Sequence, residues 1–334
     1  MSAAAVFDPH PLVRNPHVQS LLGGAKLRLI HHRRSGGLGV LRTARERIFE
    51  CGDGARLSAL CSPPRAGDPH AADLAVLIHG WEGCAHSTYL LASAELLHRE
   101  GYAVARLNLR DHGGTHHLNE DLFHANRIDE VVGAVRALGR ALPHRRLALI
   151  GFSLGGNFAL RVGLRAPRAG LRLAHLIAVN PALDPPSTMA AIDRYPLYRR
   201  YFLRRWKRSL LRKQRLFPRR YDFGGLDRLG TVRAVSEFMI PRYTPFATLA
   251  EYFEGYTLRA RALASVEVPT TIITAADDPI VSVDHFRSLR RTAAVSVEIQ
   301  PRGGHCGYIQ GPALRSWLES RILAALAGRL RREE

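Results

Sequence analysis

At 334 residues the chain has room for one large α/β domain with an insertion or for two average domains. Its 46% hydrophobic and 23% charged residues are the balance of a folded protein and exclude a disordered one. Lysine plus arginine exceed aspartate plus glutamate by 48 to 29, a formal charge of +19 that favours polyanions and anionic membrane surfaces but says little about fold.

The opening MSAAAVFDPHPLVRNPHVQSLL has no basic start followed by an apolar run, and Asp8, Pro9 and Pro11 interrupt it, so it does not read as a signal peptide. No stretch approaches the roughly 18 apolar residues of a spanning helix. Cys51, Cys61, Cys84 and Cys306 follow neither a metal spacing nor a disulfide framework, which predicts free thiols in a reducing cytoplasm. Arginine dominates the basic residues, so genome composition contributes to the charge, and nucleic acid is not an expected partner.

In chain order, Arg47–Cys51 and Arg56–Cys61 flank Gly52-Asp53-Gly54, whose Asp-Gly supplies the positive φ of a tight hairpin. Leu74–Ile78 is a continuous apolar run ending at His79-Gly80, the form of a strand buried on both faces. A helix from about Thr88 to Arg99 and a strand from Ala103 to Leu109 follow. Ile128, Val131, Val132, Val135 and Leu138 then fall on one helical face. Leu147–Ile150 is another buried strand, running into Gly151-Phe152-Ser153-Leu154-Gly155-Gly156 before a helical stretch. Leu173–Val179 is stopped by Asn180-Pro181, and the last strands are Thr270–Thr274 and Val295–Gln300. A helix spans about 284–291 between those two, and a closing helix runs from about Ala313 to Leu326.

This alternation predicts a mostly parallel sheet flanked by helices. The rhythm stops between Asp184 and about Ser265, where helices and loops rich in arginine and aromatics read as an insertion. The expected organisation is therefore a core of residues 1–183 and 266–334, with 1–45 as an extension packed on it and 184–265 as a helical, basic cap.

A serine hydroxyl attacks an acyl carbon only if it is held exposed, beside a base, with donors for the developing oxyanion. Ser153 lies in G-F-S-L-G between a strand and a helix, where Gly151 and Gly155 permit a sharp turn and the Leu154 N–H faces an oxyanion. His79-Gly80-Trp81-Glu82-Gly83 follows the earlier buried strand, and Trp81 is assigned the second oxyanion N–H. Asp278 and His305 each lie just beyond a strand, in the order Ser, Asp, His. His305 would take the Ser153 proton while Asp278 fixes its tautomer. Asp277 is the competing acid, and Asp278, which precedes Pro279, is preferred.

With these residues in place the chain resembles the α/β-hydrolase superfamily and, more narrowly, the YheT-like hydrolases (the AB hydrolase 4 group). Asn15-Pro16-His17-Val18-Gln19-Ser20-Leu21-Leu22 is similar to that group's NPHxQ(S/T)L signature, and HGWEG, GFSLGGN, ADDP and GGHCGY match its motifs in order across nearly the whole chain. The resemblance implies an α/β-hydrolase fold and a carboxylesterase or lipase-like serine hydrolase acting on short-chain esters or acylglycerols, with the same triad and no cofactor. Three segments depart from the group. Arg110-Asp111-His112-Gly113-Gly114 replaces an Arg-Gly turn, Phe238-Met239-Ile240-Pro241 replaces an acidic FD motif, and Cys306 follows the histidine.

Arg194 to Arg220 holds 12 basic residues and no acidic one, interleaved with aromatics. Such a segment suits peripheral contact with an anionic membrane, on its cytoplasmic face. The plainer reading is a solvated helical face with its aromatics packed inward. His112, His116 and His117, like His31 and His32, fit no zinc pattern, so no metal is expected, and the first three are placed as loop residues near the site mouth. An acyltransferase with the same triad and a non-catalytic membrane or nucleic-acid binder on a hydrolase scaffold are the alternatives.

Overall fold

A computed structural model describes residues 6–30, 38–290 and 292–330; His31 and His32 lie outside the described residues. The strands are β1 (Arg45–Glu50), β2 (Arg56–Ser62), β3 (Leu74–Ile78), β4 (Ala103–Leu107), β5 (Leu147–Phe152), β6 (His175–Val179), β7 (Thr270–Ala275) and β8 (Val295–Gln300). Among the described residues they form one sheet in the order β1-β2-β4-β3-β5-β6-β7-β8. β1 and β2 pair antiparallel around the Gly52-Asp53-Gly54 turn, β2 pairs antiparallel with β4, and β4 onward is parallel.

Every residue of β3, β5, β6 and β7 is buried, as strands covered on both faces require. Alternate side chains enter two cores. Leu74, Val76 and Ile78 face one with α3 (Ile128–Ala141) and α4 (Leu154–Arg165), whereas Ala75 and Leu77 face the other with α2 (Thr88–Arg99) and α9 (Trp317–Leu330). From β3 the chain passes to β4 on one side and then crosses to β5 on the other. The loops leaving β3 and β5 therefore diverge at a switch point, where open α/β sheets form their binding crevice.

The closing helix begins at Trp317 rather than near Ala313. Gln310 N–H donates to Arg315 O at 2.9 Å, Ile309 bridges Ser316, and Leu314 has φ +57°, so residues 310–316 are a tight turn. Near residue 284 the helix is a single turn, Asp284–Arg287. In both places the apolar spacing continues through residues whose backbone is claimed by a turn.

Between β6 and β7 run α5 (Pro185–Arg194), α6 (Pro196–Leu216), α7 (Val232–Tyr243) and α8 (Leu249–Glu254). Asp184 caps α5 by accepting from Ser187 N–H, and Pro185 and Pro196 stand at first-turn positions where no N–H is missed. The basic α6 is tied to the core by Lys213, whose side chain is wholly buried. Its Nζ donates to Asp111 Oδ1 at 2.8 Å and to the Asn119 and His116 carbonyls at 2.6 and 3.2 Å. All three ammonium protons are thus used, the condition under which a buried charge is tolerated. The unusual Arg110-Asp111-His112-Gly113-Gly114 turn supplies this anchor: Arg110 pairs with buried Glu130 at 2.6 Å, and Asp111 receives Lys213.

Candidate active site

Ser153 stands between β5 and α4 at φ +54° and ψ −119°, a region costly for any residue with a Cβ. Its flanking glycines make that turn possible. A methyl on Gly155 would collide with the Ile78 and His79 carbonyls, and one on Gly151 with the Gly155 carbonyl, so the helix start is pressed directly onto the end of β3. Ser153 N–H donates to Val179 O at 2.8 Å, which ties the turn to β6.

The three residues expected to act together are brought together. Ser153 Oγ lies 2.9 Å from His305 Nε2, and His305 Nδ1 lies 2.8 Å from Asp278 Oδ2. With its proton on Nδ1, the imidazole donates to the carboxylate and accepts from the hydroxyl. The Asp278 side chain is wholly buried, and its Oδ1 accepts the Ile280 and Val281 N–H groups at 2.8 and 3.1 Å. Asp277 turns elsewhere, accepting Gly304 N–H at 2.9 Å, and burial raises its carboxyl above the ordinary range.

Several supports were not singled out in the sequence. Asn180, at φ +42°, donates to Asp278 Oδ2 at 2.7 Å and to Gly304 O at 3.2 Å, while its own Oδ1 accepts from Tyr308 at 2.9 Å. It thus holds both the Asp278 carboxylate and the loop that carries His305. Ser20 Oγ accepts His305 N–H at 2.8 Å, and Gln19 bonds both N–H and carbonyl of Ile309. Ser20 and Gln19 lie on α1 (Pro16–Gly24), so the amino-terminal NPHVQS signature is a bracket under the histidine loop.

The turn carrying Trp81 abuts the serine, since a methyl on Gly80 would sit 3.1 Å from Ser153 Cβ. Neither Trp81 nor Leu154 donates its N–H to another group among the described residues. Tyr89 Oη accepts Gly80 N–H at 3.0 Å, Asn108 Oδ1 accepts Ala85 N–H at 2.8 Å, and buried Arg106 donates to Ala85 O at 2.9 Å. The turn is therefore braced from β4 and α2. The Trp81 ring stacks on Phe202 and meets Trp206 edge-on, both from α6, with centroids 5.1 and 5.2 Å apart.

A cavity of about 670 Å³ opens over Ser153 and His305. Trp81, Leu154, Met189, Phe202, Trp206 and Met239 give it an apolar lining, and Lys26, Glu82 and Arg205 bring ionisable groups to it. Cys84 and Cys306 both border it; burial pushes the Cys306 thiol well up, so it stays protonated.

The placement of the loop histidines needs correcting. His112 and His116 do not border the cavity mouth but are buried: His112 Nε2 accepts Glu82 N–H at 3.2 Å, and His116 Nε2 lies 2.8 Å from Ser209 Oγ. His117 is exposed and does not line the cavity either. Desolvation lowers His112 to about 4 and His116 to about 3, so both are neutral structural groups. No group of three His, Cys, Asp or Glu residues among those described is placed to hold a metal ion.

Glu82, at φ +55° beside Trp81, is pushed up to about 7 by burial, against the pull of Arg205 and with help from Asp111. A carboxyl that holds its proton more tightly when folded stabilises most below the unfolded carboxyl range, and that stability is lost as pH rises through about 7. Glu82→Gln, permanently neutral, should therefore gain on the wild type by on the order of 2 kcal/mol between about pH 5 and about pH 8.5. Urea unfolding at the two pH values checks this; a constant difference would contradict it.

An eight-stranded, mostly parallel sheet with a serine on a strained strand-to-helix turn defines an α/β hydrolase, and the chain belongs to the alpha/beta hydrolase fold family, whose model matches residues 75–312. Within it the chain is YheT-like. It is 27% identical to the putative esterase YheT of Escherichia coli over 96% of this chain and 93% of that one. It is 22% identical to a monoacylglycerol lipase of Saccharomyces cerevisiae over 76% of this chain and 59% of that protein. Among solved structures, the esterase Pf2001 of Pyrococcus furiosus shares the fold with TM-score 0.57 at 18% identity, covering 85% of this chain and 90% of that one. No helix among the described residues is long and apolar enough to cross a membrane.

Proposed function

We propose that the chain is a serine carboxylic-ester hydrolase, acting on short- to medium-chain esters or acylglycerol-like lipids through an acyl-serine intermediate. The observation that carries this reading is the continuous line from Asp278 through His305 to Ser153, at 2.8 and 2.9 Å, opening on an apolar cavity.

Ser153 Oγ attacks the ester carbon as His305 Nε2 takes its proton, and the buried Asp278 carboxylate stabilises the imidazolium. The oxyanion that forms is received by the Trp81 and Leu154 N–H groups. Collapse expels the alcohol, protonated by His305, and leaves the acyl group on Ser153. Water, deprotonated by His305, then attacks the acyl carbon; the bond to Ser153 Oγ breaks, His305 returns the proton to that oxygen, and the carboxylic acid leaves. Neither a cofactor nor a metal takes part. Residues 184–265 serve as a cap on the core of 1–183 and 266–334, and α6 sets the cavity wall facing the nucleophile. The apolar lining suits an acyl chain, in keeping with relatives named as esterases and monoacylglycerol lipases.

Hydrolysis of p-nitrophenyl butyrate tests the reading. If deacylation is the slower step, a burst of about one nitrophenolate per chain precedes steady turnover. Absence of any hydrolysis across acetyl to dodecanoyl esters would contradict it.

A further inference from the structure

The cavity opens beside a surface that neither the triad nor the sheet uses. Leu21 on α1 and Leu197 and Tyr201 on α6 border the cavity, yet they are 49%, 55% and 53% exposed, so they form its rim. Val18, one turn before Leu21, is also exposed. The two helices meet here: His17 Nδ1 lies 3.0 Å from Tyr198 Oη, and the His17 ring packs edge-on to Tyr195.

Beyond the rim, α6 divides by face. Tyr198, Leu203, Leu210 and Lys213 are buried, and Phe202 and Trp206 pack inward on Trp81. The plain expectation of aromatics turned inward thus holds for most of this helix. The outer stripe is Leu197, Arg200, Tyr201, Arg204, Arg208, Leu211 and Arg215, all exposed and at the three-to-four residue spacing of one helical face. Arg200, Arg204, Arg208 and Arg215 form no ion pair among the described residues, and 194–220 contains no acidic residue. Unpaired guanidinium groups interleaved with exposed leucine and tyrosine, next to an apolar cavity rim, are the composition of an interfacial helix.

We propose that this face docks on an anionic lipid bilayer, so that the cavity rim sits at the headgroup boundary and substrate passes from the membrane to Ser153. The proposal rests on the cavity being the ester site described above. Arginines along the stripe would meet lipid phosphates, while Leu21, Leu197 and Tyr201 enter the headgroup layer, the division of labour of an interfacial amphipathic helix. A nucleic acid fits less well, because exposed aliphatic side chains around an apolar opening have nothing to gain from a phosphodiester backbone.

Flotation with phosphatidylcholine vesicles, and with vesicles containing about one third phosphatidylglycerol, tests this directly. The wild type is expected to bind the anionic vesicles, not the neutral ones, and to be released by about 0.5 M salt. The variant R200E/R204E/R208E, whose side chains do not border the cavity, should lose about 100-fold in partitioning while hydrolysing soluble p-nitrophenyl butyrate as the wild type does. Its circular dichroism should match the wild type, which reports folding independently of turnover. Ser153→Ala should float like the wild type, which separates docking from catalysis. Equal binding to both vesicle types, undiminished binding by the triple variant, or tighter binding of a labelled single-stranded RNA than of anionic vesicles would overturn the proposal.

Discussion

Ser153→Ala is expected to lower kcat for p-nitrophenyl butyrate by about 10⁴- to 10⁶-fold and to leave KM within a few-fold. The hydroxyl is the group that lies 2.9 Å from His305 Nε2, and a methyl there can neither give up a proton nor carry an acyl group. Residual turnover would come from water attacking an ester held in the cavity, its oxyanion received by the proposed Trp81 and Leu154 donors. The fold should survive. The elbow's conformation at φ +54° penalises serine and alanine alike, and its hydrogen bonds to Val179 and Asn157 are made by the backbone. The two proteins should therefore melt within a few degrees of each other. Loss of activity with loss of folding would be a different result, and calorimetry beside the kinetics separates the two.

The second large effect discriminates between neighbours. Asp278→Asn should cost about 10⁴-fold in kcat, while Asp277→Asn should cost less than about 10-fold. Asp278 Oδ2 meets His305 Nδ1, and the remaining oxygen faces the Ile280 and Val281 N–H groups. An amide at that position has to turn its NH₂ toward either the imidazole or those donors. Its oxygen then serves one side only, and the imidazole is held in the wrong tautomer or left unheld. Asp277 instead receives Gly304 N–H, a contact an asparagine oxygen reproduces. Steady-state kinetics of both variants decides the matter, and the reverse ranking would assign the acid to Asp277.

What could be read from the sequence was what is decided locally. The runs Leu74–Ile78 and Val295–Gln300 are strands because short apolar or alternating stretches ended by turn residues have few other uses, and the elbow showed itself because only glycines fit on either side of Ser153. The supports were hidden because each depends on a partner far along the chain. Asn180 looked like a strand stop, yet it bonds to Asp278 and Tyr308, 98 and 128 residues away. Lys213 was counted among surface charges, but burial beside Asp111 depends on how α6 lies on the loop after β4, which no local pattern reveals. The same holds for His112 and His116, whose spacing says nothing of the desolvation that keeps them neutral. The amino-terminal signature was legible as a resemblance only; its physical role, bracing the histidine loop through Ser20 and Gln19, comes from contacts spanning 285 and 290 residues.

The central claim is that Ser153 is the nucleophile, and covalent trapping tests it most directly. After reaction with a fluorophosphonate and proteolysis, mass spectrometry should find one phosphonylated residue, Ser153, and the His305→Ala variant should react far more slowly. A folded protein that takes up no label, or takes it at a serine other than Ser153, would contradict the account.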